Sequence, residues 1–210
     1  MNPVISPERF FESEDIINSY QGLTCWILYS DMHKTLWKFI RENWHAIDEM
    51  SGRSCLICVL DQPADRSDPF WAEANINPEF RDLFSSKPFN RNNHLKIARS
   101  MGIKYDDMPA FVFFPSVRSQ EKVLVKIDKQ SSEDDLTEVF SQLMDCVQNV
   151  VQESHFRSER TYEISGAIHE REQCLLRLQP EINRRRITSV LKRIVTPTSV
   201  IGAAQIAAAL

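Results

Sequence analysis

Glycine is rare in this chain, and its few copies are too scattered to build a glycine-rich loop. The 210 residues contain five, at Gly22, Gly52, Gly102, Gly166 and Gly202. A loop that cradles phosphate groups needs closely spaced glycines, because the backbone amides must approach the anion. The spacing therefore excludes nucleotide enzymes that depend on a long glycine-rich loop.

Cysteine is also sparse, and its odd count argues against a disulfide framework. The five cysteines lie mostly inside apolar runs, where a free thiol packs as a small hydrophobic side chain. They are Cys25, Cys55, Cys58, Cys146 and Cys174. No N-terminal stretch combines a basic start, an apolar core and a small-residue cleavage site. These features favour a reducing, cytoplasmic location.

The histidines lack the spacing of a metal site. His45, His94, His155 and His169 form no i, i+4 pair or other ligand pattern, and no second pair of ligands accompanies Cys55 and Cys58. The sequence therefore predicts no metal and no other cofactor.

Charge divides the chain into two parts. The composition, with 42% hydrophobic and 26% charged residues, is that of an ordinary soluble globular protein. Residues 151–210 carry nine lysines and arginines against six acidic residues, a net +3, which leaves −7 for residues 1–150. This asymmetry suggests two parts with different surfaces or partners.

The stretch from Leu23 to Asp61 reads as a strand, a helix and a second strand. Leu23–Tyr29 and Ser54–Leu60 are short apolar runs typical of buried strands. Between them, apolar residues recur at helical spacing from Lys34 onward, and Gly52 follows where a left-handed helix cap favours glycine. The connection is long enough for a parallel crossover.

Further elements follow in the next part of the chain. We expect a short helix at His94–Met101 and strands at Met108–Phe114 and Lys122–Ile127, which pair antiparallel across a turn. Ser131-Ser132 and the acidic residues after them cap a further helix. Residues 1–21 are expected to contribute a helix that docks on the sheet.

Residues 62–93 form an insertion unlike its surroundings. Four prolines exclude a long helix or a central strand, yet the segment is too aromatic for a solvated linker. Its aromatic residues either cover a sheet edge or the helix layer, or remain exposed as anchors for a protein partner. The candidate anchors are Phe70, Trp71, Phe80 and Phe84.

Over about residues 20–150 this order of elements resembles a thioredoxin-fold protein. The resemblance is most specific where Gly102-Ile103, a short loop and Met108-Pro109 precede an apolar strand, as in that family, where the proline is cis and faces the redox site. The resemblance implies a thioredoxin-like sheet flanked by helices and a cis bond before Pro109. A cis proline is uncommon, so this expectation is specific.

The same resemblance implies that the redox site is lost. Aligning the family's first unit on this chain places its Trp-Cys-Gly-Pro-Cys motif on Met32, His33, Lys34, Thr35 and Leu36. Thiol-disulfide exchange needs an attacking thiolate and a second, resolving thiol. Since neither cysteine is present at these positions, the family's activity does not carry over.

Two further sets of side chains are candidate catalysts. Cys55 and Cys58 match a C-x-x-C string, but residues three apart in a strand point to opposite faces, beyond disulfide reach. His33 would lie near a helix start beside Pro109, where it could act as a base or as a recognition group, although a solvent-facing histidine is the plainer interpretation.

Beyond residue 150 the chain reads as a helical extension that includes residues 151–210. A helix at Glu163–Leu178 is expected to end at Pro180, and residues 181–195 predict a separate basic amphipathic helix. This helix could pack on the domain, pair with a second copy, dock on an acidic protein or lie on a membrane surface. Nucleic acid is not favoured, since no aromatic residues are interleaved for base stacking. The cations concerned are Arg184, Arg185, Arg186, Lys192 and Arg193.

The last residues carry little functional information. Thr198–Leu210 is apolar but too short to span a bilayer. Residues 207–210 resemble a cloning remnant, so no function is inferred from them.

The sequence predicts a non-catalytic protein that consists of a thioredoxin-like domain, residues 1–150, and the helical extension. It is expected to bind a protein or to assemble as a homo-oligomer. Two alternatives stay open: a thiol oxidoreductase or other enzyme with a non-standard site near His33 and Pro109, and a membrane-associated effector acting through residues 181–206.

Overall fold

A four-stranded mixed sheet forms the centre of the fold. The computed structural model describes residues 14–30, 32–59, 91–156, 158–185 and Ile187. The strands are β1 (Leu23–Leu28), β2 (Cys55–Cys58), β3 (Ala110–Phe114) and β4 (Val123–Lys126), in the order β2-β1-β3-β4. β1 is parallel to β2 and antiparallel to β3, and β3 is antiparallel to β4.

Helices flank this sheet, which confirms the predicted mixed α/β class. The six described α-helices are α1 (Glu14–Ser19), α2 (Lys34–Glu42), α3 (Trp44–Ser51), α4 (Arg91–Ser100), α5 (Glu133–Gln152) and α6 (Ile164–Arg184). Short 3-10 helices lie at Tyr105–Asp107 and Glu159–Thr161. The antiparallel pairing of the last two strands, predicted from the sequence, is also confirmed.

Both faces of the sheet are buried. On one face Cys25 and Ile27 of β1 join a core with residues of α2, α3, α5 and α6. On the other face Trp26 and Leu28 pack with Ile17 of α1 and Ile97 of α4. The continuous apolar run of β1, without alternating polar residues, follows from this two-sided burial.

The peptide bond between Met108 and Pro109 is cis, as predicted. Pro109 immediately precedes β3, and its carbonyl accepts a hydrogen bond from the Ile127 amide at 2.9 Å. The bond therefore lies where the end of β4 meets the start of β3.

Two helix boundaries agree with the sequence signals, and one helix is divided where none was expected. Ser132 and Asp135 form a reciprocal capping box at the start of α5, and Gly52 ends α3 with a φ of 54°. The single predicted helix after Lys34 is interrupted at Asn43, whose side-chain amide donates to the Phe39 carbonyl at 3.1 Å. Asparagine offers the backbone this alternative hydrogen bond and so separates α2 from α3.

The predicted helix end at Pro180 is wrong, because α6 continues through this proline to Arg184. A helical proline leaves the carbonyl of the residue four positions earlier without its amide donor. Here that residue is Leu176, which is 69% exposed, so water can take the place of the donor. Residues 181–184 therefore belong to α6, and of the remainder of the predicted helix 181–195 only Arg185 and Ile187 are described.

The apolar side of α6 is part of the same core as the sheet. Cys174, Leu178, Ile182 and Ile187 are almost completely buried in the cluster that contains Ile27 of β1. Ile164 and Leu176 of the same helix are exposed, so the homo-oligomer predicted from the extension stays a prediction.

A buried arginine connects α6 to the N-terminal part of the fold. The Arg171 side chain is fully buried, and it donates to the carbonyl oxygens of Pro115 at 2.7 Å, Tyr20 at 3.3 Å and Asn18. Burial lowers the pKa of its guanidinium to about 10, while nearby Tyr20 acts in the opposite direction. The group therefore remains charged at neutral pH, and its charge is solvated by main-chain carbonyl dipoles.

We predict that Arg171→Met destabilises the fold by about 3 kcal/mol, because three buried carbonyl groups lose their donor. The measurement is the free energy of unfolding in urea. Arg177→Met is the matched control on the same helix, since Arg177 is 37% exposed and exposed ion pairs contribute about 1 kcal/mol or less. Equal effects of the two substitutions would contradict the role given to Arg171.

Candidate functional site

The candidate site lies at the carboxyl end of β1, where the turn Ser30–His33 leads into α2. The Ser30 amide donates to Nδ1 of His33 at 3.0 Å, and the His33 amide donates to the Ser30 carbonyl at 2.9 Å. The Ser30 hydroxyl lies 3.1 Å from the same Nδ1. His33 is the N-cap residue of α2, and its carbonyl accepts from the Trp37 amide. The turn is therefore closed by both main-chain and side-chain hydrogen bonds.

These contacts determine the charge state in which His33 fits the turn. Because Nδ1 accepts a hydrogen bond from a backbone amide, that nitrogen carries no proton and the ring is neutral, with its proton on Nε2. The ring is also 8% exposed and stands at a helix N-terminus, where a positive charge is unfavourable. The expectation of a solvent-facing histidine is wrong, since the ring takes part in the turn.

The structure brings only some of the predicted site residues together. Thr35 and Leu36 line the same cavity as His33 and Pro109, and Leu36 is also buried in the core between the sheet and α5. Met32 is 67% exposed, and Lys34 is exposed as well. Met108 is buried in the core of the opposite face.

His33 and Pro109 lie together, as the sequence interpretation expected. They share a small cavity with side chains from α2, the loop after β4 and α5. The volume accessible to the centre of a water molecule is about 10 Å³, which is enough for roughly one water. The other lining residues are Thr35, Leu36, Asp128, Lys129, Ser131 and Leu136. The cavity is too small for an organic substrate.

A second buried histidine, His94, lies close to this turn and was missed in the sequence. It is fully buried in the first part of α4, and its ring lies 4.6 Å from that of Tyr29, centroid to centroid, at an angle of 57°. Burial lowers the pKa of His94 to about 3, and the nearby His33 contributes in the same direction. The available signal was helical spacing, since His94 precedes the buried Ile97 and Ala98 by three and four residues.

All five cysteines are free and buried. Cys55 and Cys58 lie in β2 and point into opposite cores, which confirms that this C-x-x-C string cannot pair. Burial raises the pKa of Cys25 and Cys58 well above the ordinary thiol value. It also raises the pKa of Cys146 and Cys174 to about 11. These thiols are therefore protonated at neutral pH and poor nucleophiles.

Ser30 and His33 are residue types that act together as nucleophile and base in some enzymes, but here they are not accessible to a substrate. Ser30 is fully buried, so no substrate carbonyl can reach its hydroxyl in this conformation. The same Nδ1 that would take the serine proton already accepts the Ser30 amide. The contact stabilises a turn, and it does not prepare an attack.

Two of the predicted basic contact residues form ion pairs within the chain. Arg184 lies 2.7 Å from Glu181, and Arg185 contacts Glu181 at 3.0 Å and Asp145 at 3.4 Å. Arg186, Lys192 and Arg193, and the aromatic candidates Phe70, Trp71, Phe80 and Phe84, lie outside the described residues.

The described ranges contain neither a membrane-spanning helix nor a metal cluster. No helix there is both long and apolar enough to cross a bilayer. No group of three or more histidine, cysteine, aspartate or glutamate side chains within those ranges is arranged to hold a metal ion.

Comparison of the chain with protein-family models, curated proteins and solved structures finds no significant match.

We predict that the thiols of the native protein react with Ellman's reagent at neutral pH at least about 100-fold more slowly than those of the protein in guanidinium chloride, because all five are buried. The denatured sample should release five equivalents. A native thiol that reacts as fast as in the denatured chain would contradict the assignment of these cysteines to the core.

Proposed function

We propose that this chain is a redox-inactive, thioredoxin-like protein that acts by binding another protein, with a cytoplasmic location. The observation that carries the proposal is the closed turn Ser30–His33 at the position where the resemblance would place a dithiol. A site that holds neither a thiol nor space for an organic substrate favours recognition over catalysis.

The described fold supports the thioredoxin-like part of this proposal. The described elements from β1 to α5 are a strand, two helices, a strand, a helix, two antiparallel strands and a helix. The first two strands are parallel, and a cis proline adjoins the start of the helix that follows β1. The order of elements is the one on which the resemblance was based, and the cis bond is one that the resemblance implied.

The insertion at residues 62–93 is the best candidate for the contact surface. It follows β2, which ends at Cys58, and its last residues, 91–93, are the first residues of α4, which begins at Arg91. Because β1 and β2 are parallel, the insertion leaves the sheet at the same edge as the turn Ser30–His33. Rigid aromatic side chains contribute much of the energy of protein interfaces at low cost in conformational entropy. We assign this role to the four aromatic residues Phe70, Trp71, Phe80 and Phe84.

The C-terminal cations are a weaker candidate for the same role. Arg184 and Arg185 are already paired with carboxylates of the chain, so an acidic partner would have to compete for them. Assembly as a homo-oligomer remains part of the proposal, since Ile164 and Leu176 of α6 are exposed apolar residues that a second copy could cover.

The proposal predicts that replacing Phe70, Trp71, Phe80 and Phe84 together with serine abolishes capture of a specific partner from a lysate of the native host. Loss of two or more hot-spot aromatics weakens binding by roughly 1000-fold. The readout is affinity capture followed by mass spectrometry and then the dissociation constant of the purified pair.

The matched control is Leu176→Ser, because Leu176 is an exposed apolar residue on α6, outside the insertion. Its capture should equal that of the unmodified chain. A partner retained by the fourfold variant and lost with Leu176→Ser would place the contact on the C-terminal helix and contradict the assignment.

A further inference from the structure

Two buried histidines hold three elements together at one end of the sheet. His33 begins α2 and bonds to Ser30 after β1. His94 lies in α4 and packs on Tyr29, which also follows β1. We propose that Ser30, His33 and His94 form an acid-sensitive contact, the histidine cluster, that holds the start of α2 and α4 against the end of β1 at neutral pH and releases them in acid.

The geometry of His33 opposes protonation. The Ser30 amide nitrogen donates its hydrogen to Nδ1 across 3.0 Å. A proton added to Nδ1 would point at this amide hydrogen and repel it. The turn must therefore open before Nδ1 can take up a proton. The N-terminus of α2 adds a further unfavourable interaction with a positive ring.

The position of His94 opposes protonation for a different reason. Its ring is 0% exposed and packs on the ring of Tyr29, so a charge there would lose its hydration. The nearby His33 disfavours a second positive charge, and the pKa of His94 is lowered accordingly to about 3.

Among the described residues, the charged groups around the cluster do not reverse this balance. Tyr29, which follows β1, packs its ring on His94. The loop after β4 brings the half-buried Asp128 and the exposed Lys129 to the cavity beside His33, and their charges have opposite signs. Lys34 and Lys96, on α2 and α4 themselves, are exposed cations and disfavour a further positive charge.

The direction of the pH dependence follows from proton linkage. A histidine in the unfolded chain has a pKa of about 6.5 and is protonated below that pH. In the folded state His94 does not take up a proton until the pH approaches about 3. Its contribution to stability is therefore complete above about pH 6.5 and falls with decreasing pH. Between pH 7 and pH 5 the opening equilibrium increases roughly 25-fold for one such histidine.

Hydrogen exchange of the full chain at pH 7 and pH 5, corrected for the intrinsic pH dependence of exchange, tests the proposal. Peptides that cover α4 and the first turn of α2 should lose at least tenfold in protection relative to α5. The double variant His33→Asn/His94→Phe should abolish this relative loss. Asparagine can still accept the Ser30 amide, and phenylalanine retains the ring contact with Tyr29, but neither titrates.

His45→Asn is the control, since His45 is an exposed histidine on α3, and it should leave the acid response unchanged. Equal protection of α4 at the two pH values in the unmodified chain would overturn the proposal, and so would an undiminished acid response in the double variant. If the double variant does not fold, the imidazole NMR signals of the unmodified chain decide. The proposal is supported if the chemical shifts of the His94 ring stay constant from pH 7 to pH 5 as long as α4 is closed. It is overturned if His94 titrates in the closed state with a midpoint above pH 6.

Discussion

Burial of the central strand on both faces is the constraint on which the rest of the structure depends. Every residue from Gly22 to Ser30 is buried, so β1 requires a layer of helices on each side of the sheet. α2, α3, α5 and α6 supply one layer, and α1 and α4 supply the other. The C-terminal helix is thus part of the domain, held there by apolar contacts and by the hydrogen bonds of Arg171 to buried carbonyl groups.

The same constraint determines the chemistry at the end of β1. Because the strand ends inside the protein, the polar groups that follow it must satisfy one another, and Ser30 does so with His33. A residue in this position can be exposed and reactive only if the turn is open to solvent. Here the turn is closed and the thiols lie elsewhere in the core, which is why binding, rather than thiol exchange, fits the chain.

Much of the fold could be predicted because the deciding signals are local. The apolar run of β1, the cap at Ser132 and the bond before Pro109 each depend on a few neighbouring residues. The long-range contacts could not be predicted. Nothing adjacent in sequence to Arg171 indicates that it reaches Pro115. Gly166 allows a close approach, since a Cβ there would lie 1.8 Å from the Arg160 carbonyl oxygen. The burial of His33 and the nearness of His94 likewise depend on packing between separate elements.

The central claim is that this chain works without thiol chemistry, and the reduction of insulin by dithiothreitol tests it most directly. We expect the rate with the protein present to equal the rate with dithiothreitol alone, because buried thiols cannot reach a disulfide of another protein. Acceleration that disappears when Cys25, Cys55 or Cys58 is replaced singly would contradict it.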